Sequence, residues 1–430
     1  MSSVFKTIQR TGIVLICLGF MAFPGSVLAQ SYDNPGLGEQ PILTHPQDFK
    51  PLGIRAGGFM LHPGVQLTAE HSDNALYTAE DTVSDWIWHL RPYITAQSNW
   101  NRHSLNVRLA ADIARYQDNG FQDYEDYFFL VNGRLDVRNR SYLSYSLDYM
   151  NLHEGRNNRT AEQGIEPTRY DLYGGSLGYD HTFNRLHIGV SGKYSRLDFD
   201  DSVSANDDII DNQDRDRDTM SFGMRAGYQF QTDKQAFVSA TYYKVNYDEE
   251  FDRNGLARSA DGYTLSGGLT FTLTGVLAGD LFVSYHDQSF DDPALVGVSG
   301  WGAGAGLQWL PTRLTAVRAQ ITSGIEATTY EYSSGYFRTL YSVRVDHELT
   351  RDLQLTGQVS YSDNDYQLLP GAPLDARSGD KLFSAGVGVN YFFNRYISMS
   401  AAYDYQKLSS NVPADEYRTN RVWLSLTLER

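Results

Sequence analysis

Apolar and polar residues alternate along most of the chain, from about Gly64 to the last residue. The alternation runs in segments of about 10 to 15 residues and has the two-residue period of β-strands. In the segment 141–151 the apolar positions are Leu143, Tyr145, Leu147 and Tyr149, and the polar positions are Ser144, Ser146 and Asp148. The same pattern recurs at 220–230 and 353–361. It predicts strands with one apolar face and one polar face.

Short turns and long polar loops alternate between these segments. The short turns are predicted at Asn101-Arg102, Asn139-Arg140, Asn184-Arg185, Asp233-Lys234, Thr274-Gly275, Pro311-Thr312, Arg351-Asp352 and Asn394-Arg395. The long loops are predicted at 72–84, 117–123, 153–167, 199–217, 248–260, 287–299, 329–336, 363–380 and 407–417. This alternation is typical of transmembrane β-barrels, in which the turns are periplasmic and the loops are extracellular.

Eight turns and nine loops join about 18 strands, an even number that leaves both chain ends in the periplasm. A count of 16 is the alternative, because the first strand, near Gly64 to His71, and the strand near Gln235 to Tyr247 alternate least clearly. We therefore predict an all-β fold, a transmembrane antiparallel up-and-down β-barrel formed by residues 64–430. A soluble β-sandwich or propeller is the rival fold, but it would not need an apolar outer stripe on nearly every strand.

The composition of the N-terminus differs from that of the predicted barrel. Lys6 and Arg10 precede an apolar run and a small-residue cleavage site at 27–29, so residues 1–29 are predicted to be a signal peptide. The single cysteine, Cys17, lies within it, so the mature chain offers neither a disulfide nor a thiolate metal site. Removal of the signal peptide, which carries two cations and no acid, takes the net charge of the chain from -16 to -18. This negative charge makes nucleic acid an unfavourable partner.

The segment 30–63, between the signal peptide and the first predicted strand, is rich in proline and shows little periodicity. It is too short to form a domain. We expect a periplasmic tail, with a partial plug of the pore and a docking segment for a periplasmic export partner as the alternatives.

Several short motifs accompany the barrel pattern. The sequence PLGIRAGGFMLHP at 51–63 precedes the first predicted strand, and Asp73-Asn74 follows at the first loop. Arg91-Pro92 lies in the second strand, and SNWNRHSL at 98–105 spans the first turn. With these motifs the mature chain resembles the putative β-barrel porin 2 family, whose members are often similar to outer-membrane barrels associated with exopolysaccharide synthesis. The resemblance implies transport and identifies no catalytic residue.

Assigning the polar face to the lumen gives fifteen candidate lumen-lining residues. They are His89, Arg91, Arg108, Asp112, Arg134, Asp136, Asp148, Lys193, Arg225, Asp280, Arg318, Glu326, Arg344, Asp346 and Asp404. Same-face spacing within a strand predicts three ion pairs, Arg134 with Asp136, Arg344 with Asp346 and Arg108 with Asp112. These residues form either a hydrated track that guides a sugar polymer or, more simply, ions that keep a water-filled interior soluble. Their near balance of charge disfavours strong selection for a highly anionic polymer.

Aspartates crowd the predicted loop around 198–218, and Asp214-Arg215-Asp216-Arg217-Asp218 alternates like the start of a calcium loop. Thr219 stands where an EF-hand needs glycine, and Arg225 stands where it needs the bidentate glutamate. A solvated or divalent-bridged loop near lipopolysaccharide is therefore favoured over a dedicated metal site. The weak metal candidates are Asp214, Asp216 and Asp218.

Tryptophan and tyrosine residues near the strand ends predict aromatic girdles at the two membrane interfaces. They are Trp86, Trp88, Trp301, Trp309, Tyr145, Tyr149, Tyr228, Tyr285, Tyr391, Tyr403 and Tyr405. On the lumen side, Tyr93 offers a ring for stacking on a sugar.

Hydrolase residue types occur in His71-Ser72-Asp73 and His347-Glu348, but neighbours on a strand face opposite ways. The sequence contains no nucleophile elbow, no zinc-protease helix motif and no phosphate loop. We therefore expect a protein without enzymatic activity and without a cofactor.

The favoured function is export of a polysaccharide through a bacterial outer-membrane channel. The alternatives are a general diffusion porin for small hydrophilic solutes and a structural or adhesive surface barrel. The expected partners are outer-membrane lipid, lipopolysaccharide, the transported polysaccharide or solutes, and the barrel-assembly machinery. The machinery reads an aromatic last residue in many barrels, whereas this chain ends in Arg430.

Overall fold

The structure, a computed structural model, describes residues 49–158, 162–273 and 275–430. The predicted signal peptide, residues 1–29, and the following segment 30–48 lie outside the described residues. In the described part of the chain, no helix has the length and apolar character of a membrane-spanning helix.

Eighteen long strands form the barrel. They are β1 (Phe59–Ser72), β2 (Asp85–Ser98), β3 (Ser104–Tyr116), β4 (Tyr124–Arg138), β5 (Ser141–His153), β6 (Arg169–Phe183), β7 (Leu186–Phe199), β8 (Arg217–Gln231), β9 (Lys234–Tyr247), β10 (Ala260–Leu273), β11 (Leu277–Phe290), β12 (Val298–Thr312), β13 (Thr315–Glu326), β14 (Ser333–Glu348), β15 (Leu353–Leu368), β16 (Gly379–Asn394), β17 (Ile397–Ser410) and β18 (Tyr417–Glu429). Each strand pairs antiparallel with the next one in the chain.

The last strand closes the ring by pairing with the first. In this seam Gly64 lies opposite Glu429, and the pairing continues to Ser72 opposite Arg421. Inside the seam the hydroxyl groups of Thr68 and Ser425 are 2.6 Å apart and hydrogen-bonded. The prediction of a closed 18-strand antiparallel barrel is therefore confirmed, and the 16-strand alternative is not supported.

Side-chain exposure is inverted relative to a water-soluble protein. On β2, the apolar Trp88 is 54% exposed, whereas the neighbouring polar His89 is only 5% exposed. The alternation found in the sequence thus puts the apolar face outside and the polar face inside. A soluble sandwich or propeller would bury the apolar face instead, so this pattern fits a barrel wall that contacts lipid.

Short turns and longer connections alternate, as the sequence predicts, and Thr274 of the predicted turn Thr274-Gly275 lies outside the described residues. The connections, named L1 to L9, span 73–84, 117–123, 154–168, 200–216, 248–259, 291–297, 327–332, 369–378 and 411–416. At two of the tight turns, Arg140 and Asn184 have φ values of 67° and 53°, the left-handed conformation that such turns require. The pairing register shifts next to four of the turns, so β-bulges absorb an extra residue there.

The first strand begins at Phe59 rather than at the expected Gly64. The many prolines and weak periodicity of 30–63 predict a segment outside the barrel, and proline cannot donate a ladder hydrogen bond. The structure tolerates Pro63 because β18 ends opposite Gly64, so the missing N–H faces the end of the last strand. The carbonyl of Pro63 still accepts a hydrogen bond from Arg430 N at 3.0 Å.

Other boundaries shift by a few residues. Pro311 and Thr312 lie within β12 and not in a turn, because the bulge after Trp309 accommodates the proline. β15 continues to Leu368 and β17 to Ser410, which shortens the predicted loops 363–380 and 407–417. Polar side chains marked these stretches as loop, although their backbones continue the ladder.

The residues just before the barrel reach its periplasmic end. A short strand, Ile54–Ala56, folds back as a hairpin on the start of β1. The ring of Phe49 lies 5.7 Å from that of Phe392, which is 1% exposed on the inner face of β16. For residues 30–63, a periplasmic tail, a partial plug of the pore and a docking segment for a periplasmic partner all remain predictions.

We predict that a cation on the outer face destabilises the barrel far more than the same cation inside. Leu147→Arg, at a 58% exposed outer position in the middle of β5, should lower the free energy of unfolding by about 2–4 kcal/mol. The matched control is Asn132→Arg, on the inner face of the adjacent β4, which should lose less than about 1 kcal/mol. Guanidinium unfolding in phospholipid vesicles measures both losses, and equal losses would contradict the assignment of faces.

Candidate functional site: the inner wall of the barrel

The pairing register places all fifteen candidate lumen-lining residues on the inner face. Residues opposite each other in a ladder share a face, and the registers connect the candidates around the ring. Asp112 lies opposite Asp126, for example, and Arg318 lies opposite Arg344. The structure brings some of these side chains into clusters and keeps others apart.

The most deeply buried cluster joins β1 to β3 near their extracellular ends. Asp112, with no exposed surface, lies 2.9 Å from Arg91 Nε through Oδ2 and 3.0 Å from His89 Nδ1 through Oδ1. On β1, Glu70 lies 3.8 Å from His89 Nε2 and 3.9 Å from Arg421 Nη1. Opposite charges therefore neutralise one another within this part of the wall.

The predicted pair of Arg108 with Asp112 is wrong. Positions i and i+4 on a strand are about 13 Å apart. Arg91 comes instead from the neighbouring strand and reaches Asp112 directly. The guanidinium of Arg108 lies 5.4 Å from the ring centre of Tyr93.

The other two predicted pairs are present. Arg134 Nε lies 2.8 Å from Asp136 Oδ1 in an exposed pair near the periplasmic end. Arg344 Nη2 lies 2.9 Å from Asp346 Oδ1, and Arg318 Nη1 from the neighbouring strand lies 2.6 Å from Asp346 Oδ2. Two cations thus share one carboxylate.

Four candidate charges have no ion pair within 4 Å among the described residues. We call Asp148, Lys193, Arg225 and Asp280 the central charges, because the first three lie near the middle of their strands and Asp280 lies opposite Thr270, the hydrogen-bond partner of Arg225. Arg225 instead lies 3.6 Å above the ring centre of Phe237 and donates to Thr270 Oγ1 at 3.2 Å. Glu326, at the extracellular end of β13, likewise has no ion pair within the described residues.

Asp404 has no ion pair within 4 Å in the described part of the chain, but it accepts hydrogen bonds. Trp423 Nε1 donates to Asp404 Oδ2 at 3.0 Å, so this tryptophan is on the inner face and not in an outer girdle. Tyr93 is also on the inner face, where its hydroxyl donates to Glu429 at 2.8 Å. Both are aromatic surfaces within reach of the lumen.

Several inner-face residues were missed by the sequence reasoning. They are Glu70, Asp126, Asp180, Arg217, Arg421 and Trp423. The two-residue period would have found them, since each continues the polar face of a strand already recognised. The period could not predict how deeply they are buried, because burial depends on contacts with other strands and loops.

Outside the barrel, aromatic rings contact one another from strand to strand. The ring centres of Tyr149 and Tyr173 are 5.2 Å apart, and those of Tyr285 and Trp301 are also 5.2 Å apart. Trp301 is 75% exposed, as expected for a ring in the membrane interface. These contacts fit the predicted girdle.

The residue types that suggested a hydrolase do not form one site. The ring of His71 lies 5.0 Å from that of Trp86, which is on the outer face, whereas Ser72 is hydrogen-bonded to Thr419 Oγ1 at 3.1 Å inside. His347 Nδ1 lies 3.0 Å from Thr315 Oγ1. Neither group pairs a nucleophile with a base.

Five arginines tie the extracellular connections to one another. Arg215 of L4 donates to Glu154 Oε2 at 3.0 Å, and Arg253 of L5 donates to Asp214 Oδ2 at 2.9 Å. The corresponding links from L3 to L2, from L5 to L7 and from L8 to L9 are made by Arg156, Arg258 and Arg377. The acidic loop is thus partly buried and neutralised by arginines, rather than simply solvated.

The three weak metal candidates have different partners. Asp214 binds Arg253, Asp216 accepts a hydrogen bond from Phe199 N at 2.7 Å, and Asp218 accepts one from Tyr194 at 2.5 Å. Within the described residues, no group of three possible ligands is arranged to hold a metal ion.

The two buried aspartates of L4 have opposite pKa shifts. Burial raises the pKa of Asp214, but the hydrogen bonds from Arg253 outweigh it and leave the pKa lowered. Burial raises the pKa of Asp216 to about 6, and the charges of Asp198 and Asp248 add to this rise against the hydrogen bond from Phe199 N.

Comparison with known proteins identifies one protein family. The model of one protein family, described as "Putative beta-barrel porin 2", matches residues 45–430. No curated protein matches the chain. Among solved structures, the chain is similar to the siderophore receptor PirA from Acinetobacter baumannii, with a TM-score of 0.46, 6% identity, and 86% of this chain and 80% of that chain covered.

Two further solved structures are similar. For OpdL from Pseudomonas aeruginosa the TM-score is 0.43 at 12% identity, with 87% of this chain and 99% of that chain covered. For OccAB3 from Acinetobacter baumannii the TM-score is 0.44 at 12% identity, with 87% and 100% covered. We draw no functional conclusion from these three similarities.

We predict that Asp112 stabilises the wall far more than a carboxylate in an exposed pair. Asp112→Ala leaves Arg91 buried without its counter-ion and should cost about 3–5 kcal/mol of unfolding free energy. The control, Asp136→Ala, removes a carboxylate from the exposed pair with Arg134 and should cost at most about 1 kcal/mol. Unfolding of both variants in vesicles tests this, and similar losses would show that the buried cluster is not a stabilising network.

We predict that L4 is more stable at pH 5 than at pH 7. The pKa of Asp216 is raised in the folded state, so its stabilising contribution is present below the ordinary value and is lost as the pH rises through about 6. Hydrogen exchange of residues 200–216 should therefore be slower at pH 5, after correction for the intrinsic exchange rate. Asp216→Asn keeps the acceptor for Phe199 N and should abolish the difference. A pH dependence that persists in this variant would assign it to another group.

Proposed function

The chain belongs to the family described as "Putative beta-barrel porin 2" and is an outer-membrane channel protein, and on this basis we propose that it lets small hydrophilic solutes diffuse passively through its lumen. The proposal includes no covalent step and no cofactor. It takes the diffusion porin, rather than polysaccharide export, as the main function.

The central charges carry this proposal. Charges in buried ion pairs, such as Arg91 with Asp112, are neutralised by their partners and bind a passing solute only weakly. Asp148, Lys193, Arg225 and Asp280 have no such partner within the described residues. Two cations and two carboxylates on one hydrated wall can each bind weakly to a passing polar solute and release it again, which is what passive conduction requires.

Polysaccharide export is the second candidate, and the inner-face aromatic residues favour it. Trp423 and Tyr93 are anchored by hydrogen bonds to Asp404 and Glu429. Phe282 packs over Gly304, where an added Cβ would meet its ring at 1.9 Å, so this glycine leaves space for the ring on the wall. Sugar rings stack on such surfaces while their hydroxyl groups bind neighbouring carboxylates.

Solute size separates the two candidates. Liposomes that contain the purified protein should swell quickly in isosmotic glucose and progressively more slowly in sucrose and longer oligosaccharides. Equal rates for long linear oligosaccharides and for glucose would favour export of a chain. Absence of swelling and of ionic conductance, with the barrel folded, would contradict the diffusion channel.

We predict that the cationic central charges set the ion preference of the channel. The double variant Lys193→Gln and Arg225→Gln removes two positive charges from the lumen, so the anion-to-cation permeability ratio should fall about two- to threefold. Reversal potentials of reconstituted channels across a KCl gradient measure this ratio.

The matched control for this measurement is Arg196→Gln. Arg196 lies on the outer face of β7, where it pairs with Asp248 at 2.6 Å. Its substitution removes a positive charge without changing the lumen, so the ratio should stay the same. A double variant with an unchanged ratio would show that ions do not pass the central charges.

A further inference from the structure

The residues just before the first barrel strand enter the barrel at its periplasmic end. The short strand Ile54–Ala56 pairs with the start of β1 and fixes their position. The preceding Gly53 has a φ of 69°, and a Cβ added there would lie 2.7 Å from side-chain atoms of Met60 and His62. Pairing with β2 puts both of these side chains on the same face as Tyr93, the inner face. The chain before the short strand therefore runs along the inside of the wall.

At the other end of this segment, Phe49 contacts the inner face of a different strand. The ring centre of Phe49 lies 5.7 Å from that of Phe392 on β16. Phe392 is only 1% exposed, whereas its neighbours Tyr391 and Phe393 on the outer face are 37% and 53% exposed. An aromatic ring on a wall that faces water gains free energy when another apolar group covers it. Phe49 thus attaches this end of the segment to the inner wall.

We call residues 49–53 the strap, because they connect these two points of attachment. β17 and β18 lie between β16 and β1 in the ring, so the two points are three strand spacings apart, about 14 Å. Four extended residues span about this distance. The strap therefore crosses the inner wall in a nearly extended form.

Side-chain exposure alternates along the strap. Phe49, Pro51 and Gly53 are partly buried, whereas Lys50 and Leu52 are exposed, Leu52 to 58%. This two-residue period is that of an extended chain that lies on a surface. Because Phe49 and Gly53 contact the wall, Lys50 and Leu52 point away from it and into the lumen. Lys50 is thus a positive charge at the periplasmic mouth of the barrel.

We propose that the strap lines the periplasmic mouth of the channel and that Lys50 is a selectivity-determining residue there. Ions that pass between the lumen and the periplasm move past the strap, and a fixed positive charge on it raises the local concentration of anions. Lys50 acts in series with the central charges, at the end of the lumen. The inference deepens the proposed diffusion function and rests on it for the passage of ions, whereas the position of the strap is independent of it.

Cross-linking of the intact barrel in vesicles tests the position of the strap. Cys17, the only native cysteine, lies in the predicted signal peptide, so two introduced cysteines in the mature protein can pair only with each other. The double variant Phe49→Cys and Phe392→Cys should form an intramolecular disulfide on oxidation, seen as a reversible mobility shift of the unfolded protein. In the matched control, Phe49→Cys and Phe393→Cys, the second cysteine faces lipid and should stay unlinked. If the first variant does not fold, Ser398→Cys on β17, opposite Phe392, takes the place of Phe392→Cys.

Reversal potentials across a KCl gradient test the role of Lys50. Lys50→Glu should lower the anion-to-cation permeability ratio about twofold, because an anion replaces a cation in the path of the ions. The matched control is Arg185→Glu, the same change of charge in the exposed turn between β6 and β7, and it should leave the ratio unchanged. The cross-linked barrel should conduct like the reduced one, because the strap already lies against the wall.

Several results would overturn the proposal. These are a folded barrel without a disulfide between the cysteines that replace Phe49 and Phe392, an unchanged ratio in Lys50→Glu, and equal changes in Lys50→Glu and Arg185→Glu. A loss of conductance on cross-linking would show that the strap normally lies elsewhere. In a conducting barrel these results contradict only the strap, whereas a cross-linked barrel without conductance contradicts only the channel.

Discussion

A peptide group has no hydrogen-bonding partner in hydrocarbon, so a chain that crosses the membrane as strands must pair every strand on both sides. This chain does so by joining β1 to β18, and the closed ring then fixes everything else. Because side chains alternate across each strand, closure divides the wall into an outer face against lipid and an inner face against water. The exposure of Trp88 beside the burial of His89 is the direct result.

The register between the strands of the ring also determines which charged residues of the inner face are in contact. Arg318 and Arg344 lie directly opposite each other in the ladder, an arrangement that would be repulsive on its own. Asp346 lies two positions along the strand from Arg344 and binds both guanidinium groups. A carboxylate on the diagonal thus turns a like-charge contact into a stable triad. Where the register supplies no such carboxylate, as around Arg225, the charge stays free in the lumen.

The sequence predicts the two faces well and the contacts on them poorly. A period of two residues is a local property, so it assigns all fifteen inner positions without knowledge of strand pairing. The partner of each charge depends on the register between strands, which is set by turn geometry and bulges. Arg134 and Asp136 pair within one strand and are predictable, whereas the pair of Arg91 with Asp112 crosses strands.

The extracellular connections show the same limit on a larger scale. Composition identified the crowd of aspartates in L4, and solvation was the natural expectation for it. The structure instead places arginines from L4 and L5 against these carboxylates and against Glu154 in L3. These contacts join residues that are 39 and 61 positions apart, so a local sequence pattern cannot predict them.

Cations on the inner wall that lack an ion pair are stabilised in different ways, according to their surroundings. Near the middle of the barrel, Arg225 can keep its charge at little cost because water in the lumen screens it, and Phe237 supports its guanidinium. Arg217 has far less access to water, being 5% exposed beneath the connections, and three nearby acids, Glu154, Asp214 and Asp252, bind other arginines. Two aromatic rings support its guanidinium instead, the ring of Tyr247 at 5.5 Å and the ring of Phe199 at 5.9 Å.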